Sequence, residues 1–191
     1  MNPQKKKKQL RNDLLERRKA ISEPEYYGAS ADIIERLKEQ VEYVEARTIH
    51  SYVSMNKRRE VETRELIKEM LSKGTEVVVS ISDLEEGTLT HVQLTSYQDL
   101  EKNKWGVLEP TGGQEVSPES LQLVIVPMVA ADEHCNRIGY GEGFYDRFLS
   151  KVHCPKIGLI FEQNVVEQLP TEDFDIALDK VITEERVIHR D

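Results

Sequence analysis

The sequence predicts an α/β fold in three layers, a largely parallel sheet with helices on both faces. Three observations carry this. Short β-rich apolar runs alternate along the chain with segments of helical periodicity, the pattern of strand–helix–strand units. One run, Leu121-Gln122-Leu123-Val124-Ile125-Val126, is almost continuously apolar, as strands covered on both faces are. And 191 residues, 38% of them hydrophobic, suffice for a core that needs no disulfide staples.

Taken in order, residues 4–21 read as a helix with Leu10, Leu14 and Ile21 near one face and basic residues around the remainder. Ser22-Glu23-Pro24-Glu25 then starts a second helix, with Ser22 as cap, Glu25 closing a capping box and Pro24 where no intrahelical donor is needed. Tyr27, Ile34, Leu37, Val41 and Val44 are the positions expected to face the core. Residues 48–53 form a strand, followed by a basic loop and by a helix carrying Val61, Leu66, Ile67, Met70 and Leu71 to a stop at Gly74. Residues 76–81 and 89–94 read as strands, and 82–118 as irregular or antiparallel. Pro127 ends the 121–126 strand. Beyond it come a Gly-rich loop, a helix over 144–152, a strand over 156–161, a short helix over 165–169 and short strands at 181–182 and 187–188.

Composition narrows the function. A net charge of −9 argues against a general nucleic-acid binder, although Lys5 to Lys8, Arg11, Arg17, Arg18 and Lys19 crowd the first segment and Lys57, Arg58 and Arg59 form a second basic cluster. No apolar run approaches the roughly 20 residues needed to cross a bilayer, and no apolar stretch follows Lys5–Lys8 as a secretory signal would require. The expectation is a cytoplasmic protein with no nucleic-acid or membrane partner. Cys135 and Cys154 stand in no metal or redox spacing, and the five histidines form no metal or nucleophile motif, so no covalent mechanism is assigned.

The chemistry concentrates in Arg137-Ile138-Gly139-Tyr140-Gly141-Glu142-Gly143-Phe144-Tyr145-Asp146. Glycines let the backbone approach a ligand so that successive N–H groups converge on phosphate oxygens. The dipole of the helix that follows favours the same anion, Arg137 adds a charge-assisted contact, and Asp146 lies where a carboxylate can hold a metal against phosphates. The alternative is a tight turn with Asp146 serving the helix dipole and Arg137 solvated. The pattern lacks the Lys-Ser/Thr of a P-loop, and its third glycine comes one residue too early for a dinucleotide fingerprint, so the residues alone leave both readings open.

The segment Asn136–Asp146 resembles the hallmark of the 5-formyltetrahydrofolate cyclo-ligase family. The likeness extends to Lys7 and Arg11 of the first helix, Ser54-Met55 with Glu60-Val61-Glu62-Thr63, Trp105 with Glu109-Pro110, and Asp175 before a late Leu-Asp pair. It implies one cyclo-ligase-like domain over residues 1–191. It also implies that ATP is bound by Lys7, Lys8, Gln9, Leu10 and Arg11 together with Arg137, Ile138, Gly139, Tyr140, Gly141, Glu142, Gly143, Phe144 and Tyr145. Mg2+ would sit on Asp146 and Asp175, and Lys7, Arg137 and Asp146 would carry catalysis. The folate would meet Val53, Met55, Glu60 and Trp105, with Tyr140, Gly141, Gly143 and Phe144. Glu60 has a task there, since a carboxylate accepts from pterin N–H groups, while its residue-level alternative is a helix-start acid.

The resemblance further implies the reaction: ATP phosphorylates the N5-formyl oxygen of 5-formyltetrahydrofolate, N10 closes the ring, and 5,10-methenyltetrahydrofolate leaves with ADP and phosphate. A monomer acting on small molecules is expected. Glu142 departs from the family pattern, where lysine or glycine is frequent. Lys57, Arg58 and Arg59 either compensate or meet the glutamate tail of folate, or are an exposed basic loop. A noncatalytic nucleotide or folate sensor, and a sugar-phosphate isomerase or transferase on a related fold, are the competing functions.

Overall fold

The computed structural model describes residues 3–190. The chain begins with helices α1 (Pro3–Lys19), α2 (Glu23–Lys38) and α3 (Val41–Glu45), strand β1 (Thr48–His50) and helix α4 (Arg64–Ser72). Strands β2 (Glu76–Asp83), β3 (Thr88–Leu94), β4 (Leu100–Lys102), β5 (Leu108–Pro110), β6 (Leu123–Val126), β7 (Ala130–Asp132) and β8 (Arg137–Ile138) follow. Helix α5 (Phe144–Leu149) and strands β9 (Lys156–Leu159), β10 (Val165–Val166), β11 (Lys180–Ile182) and β12 (Val187–His189) complete the chain.

The main sheet has the order β12-β11-β9-β6-β1-β2-β3. Its five inner strands pair in parallel, and β12 and β3 close the two edges antiparallel. Strand β6 lies at the centre with all four residues buried. Leu123 and Ile125 face α2 and α4, which bring Tyr26, Ile33, Leu37, Leu66, Ile67 and Met70. Val124 and Val126 face the opposite layer, where α5 brings Phe148 and Leu149. Each such side chain stabilises the fold by about 1.5–3 kcal/mol relative to exposure. The layered α/β expectation therefore holds. A smaller sheet, β10-β7-β8, carries the Gly-rich loop on its last strand and packs Val129, Ala130 and Ile138 against Leu14 of α1.

The capping box at the start of α2 forms as expected: Ser22 accepts from Glu25 N, and the Glu25 side chain accepts from Ser22 N. Three expectations need correction. The second helix does not run through Val44. It ends at Lys38, a new axis starts after Gln40, and Val41 and Val44 are exposed; Tyr27 is exposed too, because the inward register runs through Tyr26. Counting helical positions across that break assigned the wrong face. Residues 165–169 are not a helix, because the β-branched pair Val165–Val166 pairs in parallel with β7. Buried Asn164 anchors that segment by donating to Leu14 O and Val129 O. Finally, α4 starts at Arg64, although Val61 is buried in the core as expected.

Beneath α5 lies a polar cluster. His50 Nε2 and Ser80 Oγ are 2.8 Å apart, Ser80 Oγ and His91 Nδ1 are 3.1 Å apart, and both rings pack on Phe148. Burial holds His50 far below the ordinary imidazole range, and burial followed by the charge of Lys151 lowers His91 to about 4. The unfolded chain therefore binds protons first as pH falls below about 6.5, and stability present above that value is lost on acidification. Thermal melts from about pH 7 to about pH 5 should show a fall of at most ~1.4 kcal/mol per pH unit for each histidine. His91→Gln should flatten the slope, and an unchanged slope would show that acid loosens another part of the fold.

Candidate active site

The inward face of α1 is cationic. Lys7, Arg11, Leu14 and Arg18 recur at helical spacing, and Lys7, Leu14 and Arg18 are buried. Lys7 Nζ donates to Glu172 Oε2 at 2.9 Å and to Asp175 Oδ2. Burial works to lower the Lys7 pKa, but hydrogen bonds to Asp175 and Glu172 outweigh it and the ammonium is held charged. Arg11 Nε donates to Gly139 O at 2.7 Å, so α1 and the Gly-rich loop are tied directly.

The loop leaves β8 and enters α5. Gly141 has φ +109°, and a side chain there would meet the Arg11 guanidinium at 3.2 Å; Gly143 caps α5 with φ +69°. Both positions demand glycine. Arg137 is 7% exposed, and its Nη2 donates to Asp146 Oδ1 at 2.7 Å. Burial lowers its pKa, while Asp146 opposes that shift. Its Nε is buried with no hydrogen-bond partner. Asp146 Oδ1 also accepts from Ile176 N at 3.4 Å, which brings the two aspartates singled out in the sequence to one place. Lys7, Arg11 and Arg137 thus gather with Asp146, Glu172 and Asp175, three cations against three carboxylates.

A second cluster forms where the Gly-rich loop meets the segment after β1. Tyr140 Oη donates to Glu60 Oε1 at 2.5 Å, and Met55 N–H donates to Glu60 Oε2 at 2.7 Å. Arg58 lies 4.4 Å from the Tyr140 ring centroid. Burial, then the Glu60 carboxylate, pushes the Tyr140 hydroxyl far above its ordinary range, so it stays a donor. The site is two linked basins, one of alternating charges suited to a phosphate chain and one with a carboxylate among tyrosines suited to a flat N–H-bearing ring.

Residues 3–184 match the sequence model of the 5-formyltetrahydrofolate cyclo-ligase family. The chain belongs to that family. It is 27% identical to the mouse 5-formyltetrahydrofolate cyclo-ligase, with 94% of each chain covered. To the Escherichia coli enzyme of that name it is 29% identical, over 90% of this chain and 97% of the relative. The NMR structure of Aquifex aeolicus 5,10-methenyltetrahydrofolate synthetase superposes with a TM-score of 0.85 at 31% identity, covering 96% of this chain and 92% of that one.

Against this cyclo-ligase framework, not every residue singled out in the sequence joins the two basins. Trp105 is exposed on the tip between β4 and β5, where its backbone N–H donates to Asn103 Oδ1 and Lys104 lies over its ring; among the described residues no hydrogen bond or ring contact links it to Glu60. Val53 packs against the main core. Gln9 and Leu10 line an open groove of about 590 Å³ between α1 and residues 168–171, beside the Lys7–Glu172 pair, whereas Lys8 is simply exposed. Glu142 is exposed, its backbone carbonyl held by Arg147 Nη2 at 2.9 Å, and the Arg147 guanidinium lies 5.5 Å from the Phe144 ring. Glu172 and Arg18 were not singled out, the first as an isolated acid, the second because basic helix residues read as solvated. Burial pushes both cysteine thiols up to about 11.

Proposed function

We propose that this chain converts 5-formyltetrahydrofolate to 5,10-methenyltetrahydrofolate at the expense of ATP, with the triphosphate in the basin of Lys7, Arg11, Arg137 and the Gly-rich loop. The observation that carries the reading is the buried Arg137 guanidinium, which lies against Gly139 of the glycine loop and whose Nε lacks any partner. A phosphate oxygen satisfies that group, and membership of the family supplies the reaction.

The formyl oxygen attacks the γ-phosphorus and ADP leaves; N10 then attacks the activated carbon, the C–O bond breaks, phosphate departs, and N10 gives up its proton. Positioning and neutralisation of developing charge supply most of the acceleration of such transfers. Lys7 and Arg137 turn from Asp175 and Asp146 to phosphate oxygens, and Arg11 holds the Gly139 carbonyl so that the loop stays in place. Among the described residues no group of three or more His, Cys, Asp or Glu could hold a metal alone. Asp146 and Asp175 nonetheless fit Mg2+, which takes one or two carboxylates together with phosphate oxygens and water. Bound there, Mg2+ would neutralise the phosphates. Glu60 accepts the ring N–H groups of the pterin.

The test mixes protein, Mg2+, ATP and 5-formyltetrahydrofolate and follows the ultraviolet absorbance of the methenyl product. Product should accumulate only with ATP. Glu60→Gln should raise folate KM by about 10-fold while leaving ATP KM in place. Folded protein that forms no product would sink the activity, and a Glu60→Gln effect confined to ATP would sink the assignment of the folate acid.

A further inference from the structure

Arg18 lies on the inner face of α1, two turns beyond Arg11, and is 2% exposed. A guanidinium at such depth needs every donor engaged. Among the described residues it has no carboxylate partner in an ion pair. Instead its three nitrogens reach three separate segments: Nε donates to Arg58 O at 2.8 Å, Nη1 to Met128 O at 2.8 Å, and Nη2 to Tyr140 Oη at 2.6 Å. Arginine can only donate, so the phenol oxygen accepts there and its single proton must go to Glu60 Oε1. The polarity of the chain Arg18→Tyr140→Glu60 is thereby fixed.

Glu60 is held from both sides, since Oε2 takes the Met55 N–H. An ionised carboxylate has about four acceptor positions. Two are occupied, one on each oxygen, which leaves one on each for a side-by-side pair of donors. The amino group and adjacent ring N–H of a pterin are such a pair.

We propose that Arg18 is a positioning residue for the folate, acting through Tyr140 to fix the rotation of the Glu60 carboxylate so that one acceptor on each oxygen faces the pterin. The inference rests on the reading of Glu60 as the folate acid. Arg18 never touches substrate. Its guanidinium polarises the Tyr140 hydroxyl, and its bond to Arg58 O holds the turn whose Arg58 guanidinium covers the Tyr140 ring.

The experiment is a double-mutant cycle with Arg18→Met and Tyr140→Phe, reading folate KM, ATP KM, kcat and thermal midpoint. Each single change should raise folate KM by about 10-fold, with the effect falling on folate KM rather than on kcat or ATP KM. The double variant should be no worse than the weaker-binding single one, because both break the same chain. Effects that multiply to about 100-fold, or a lowered midpoint with unchanged folate KM, overturn the proposal. If Arg18→Met does not fold, Tyr140→Phe still puts the proposal at risk, since that change removes only one hydroxyl and an unchanged folate KM there overturns it. Glu60→Gln in parallel separates the failures: unchanged folate KM in that variant removes the folate acid itself, whereas a raised value beside a normal Tyr140→Phe removes only the relay.

Discussion

Asp146→Asn should lower kcat by about 10³-fold or more while the protein remains folded. Asparagine keeps the shape and an oxygen at Oδ1, so the Arg137 Nη2 contact now at 2.7 Å can persist in weaker form. The cost to stability should be about 1–2 kcal/mol, the difference between a charge-assisted and a neutral hydrogen bond in a half-buried place. Catalysis has no such margin. Removing the negative charge takes away one of the two carboxylates suited to Mg2+ and leaves Arg137 without its counter-charge. The site would bind the triphosphate in a geometry set by cations alone. Equilibrium binding of ATP with and without Mg2+ distinguishes this from collapse of the loop: the variant should bind ATP about equally in both conditions, while the parent should bind tighter with Mg2+. A variant with near-normal kcat would remove Asp146 from the phosphate basin.

The sequence made the loop visible because glycine and proline carry their physics locally. Gly141 and Gly143 adopt positive φ for reasons that spacing already suggests, and Ser22 and Glu25 form their box within four residues. The parallel centre was legible from one apolar run. What stayed hidden depends on pairs far apart in the chain. Tyr140 and Glu60 are 80 residues apart, and Lys7 and Asp175 are 168 apart, so no local pattern joins either pair. Arg18 was hidden for a different reason. Hydrophobic periodicity assigns basic residues to solvent, yet positions 7, 11, 14 and 18 share one helix face with Leu14 at its middle. A charged residue in step with a buried leucine was the available signal. Trp105 marks the opposite case, since the family resemblance singled it out and only the fold shows that it stands on an exposed tip.

Lys7→Met should raise ATP KM by about 100-fold and lower kcat as well, with folate KM held close to that of the parent. Methionine keeps an unbranched stem of similar length at this buried position on the inner face of α1, while the ammonium that lies 5.5 Å from the Phe174 ring centroid is lost. The lost groups are the donors to Glu172 and Asp175. Those carboxylates lie 21% and 15% exposed at their side chains, and the substitution takes away the ammonium that both of them hold. Their uncompensated charge then faces the incoming triphosphate, which makes the loss larger than that of a single favourable contact. The same reasoning predicts partial rescue: Lys7→Met combined with Glu172→Gln should recover part of the ATP affinity, because one repelling charge is gone, while kcat stays low because no ammonium reaches the transferred phosphoryl group. Recovery of kcat along with affinity would show that Lys7 serves only to neutralise Glu172. No recovery of either would place Glu172 outside the reach of the phosphates.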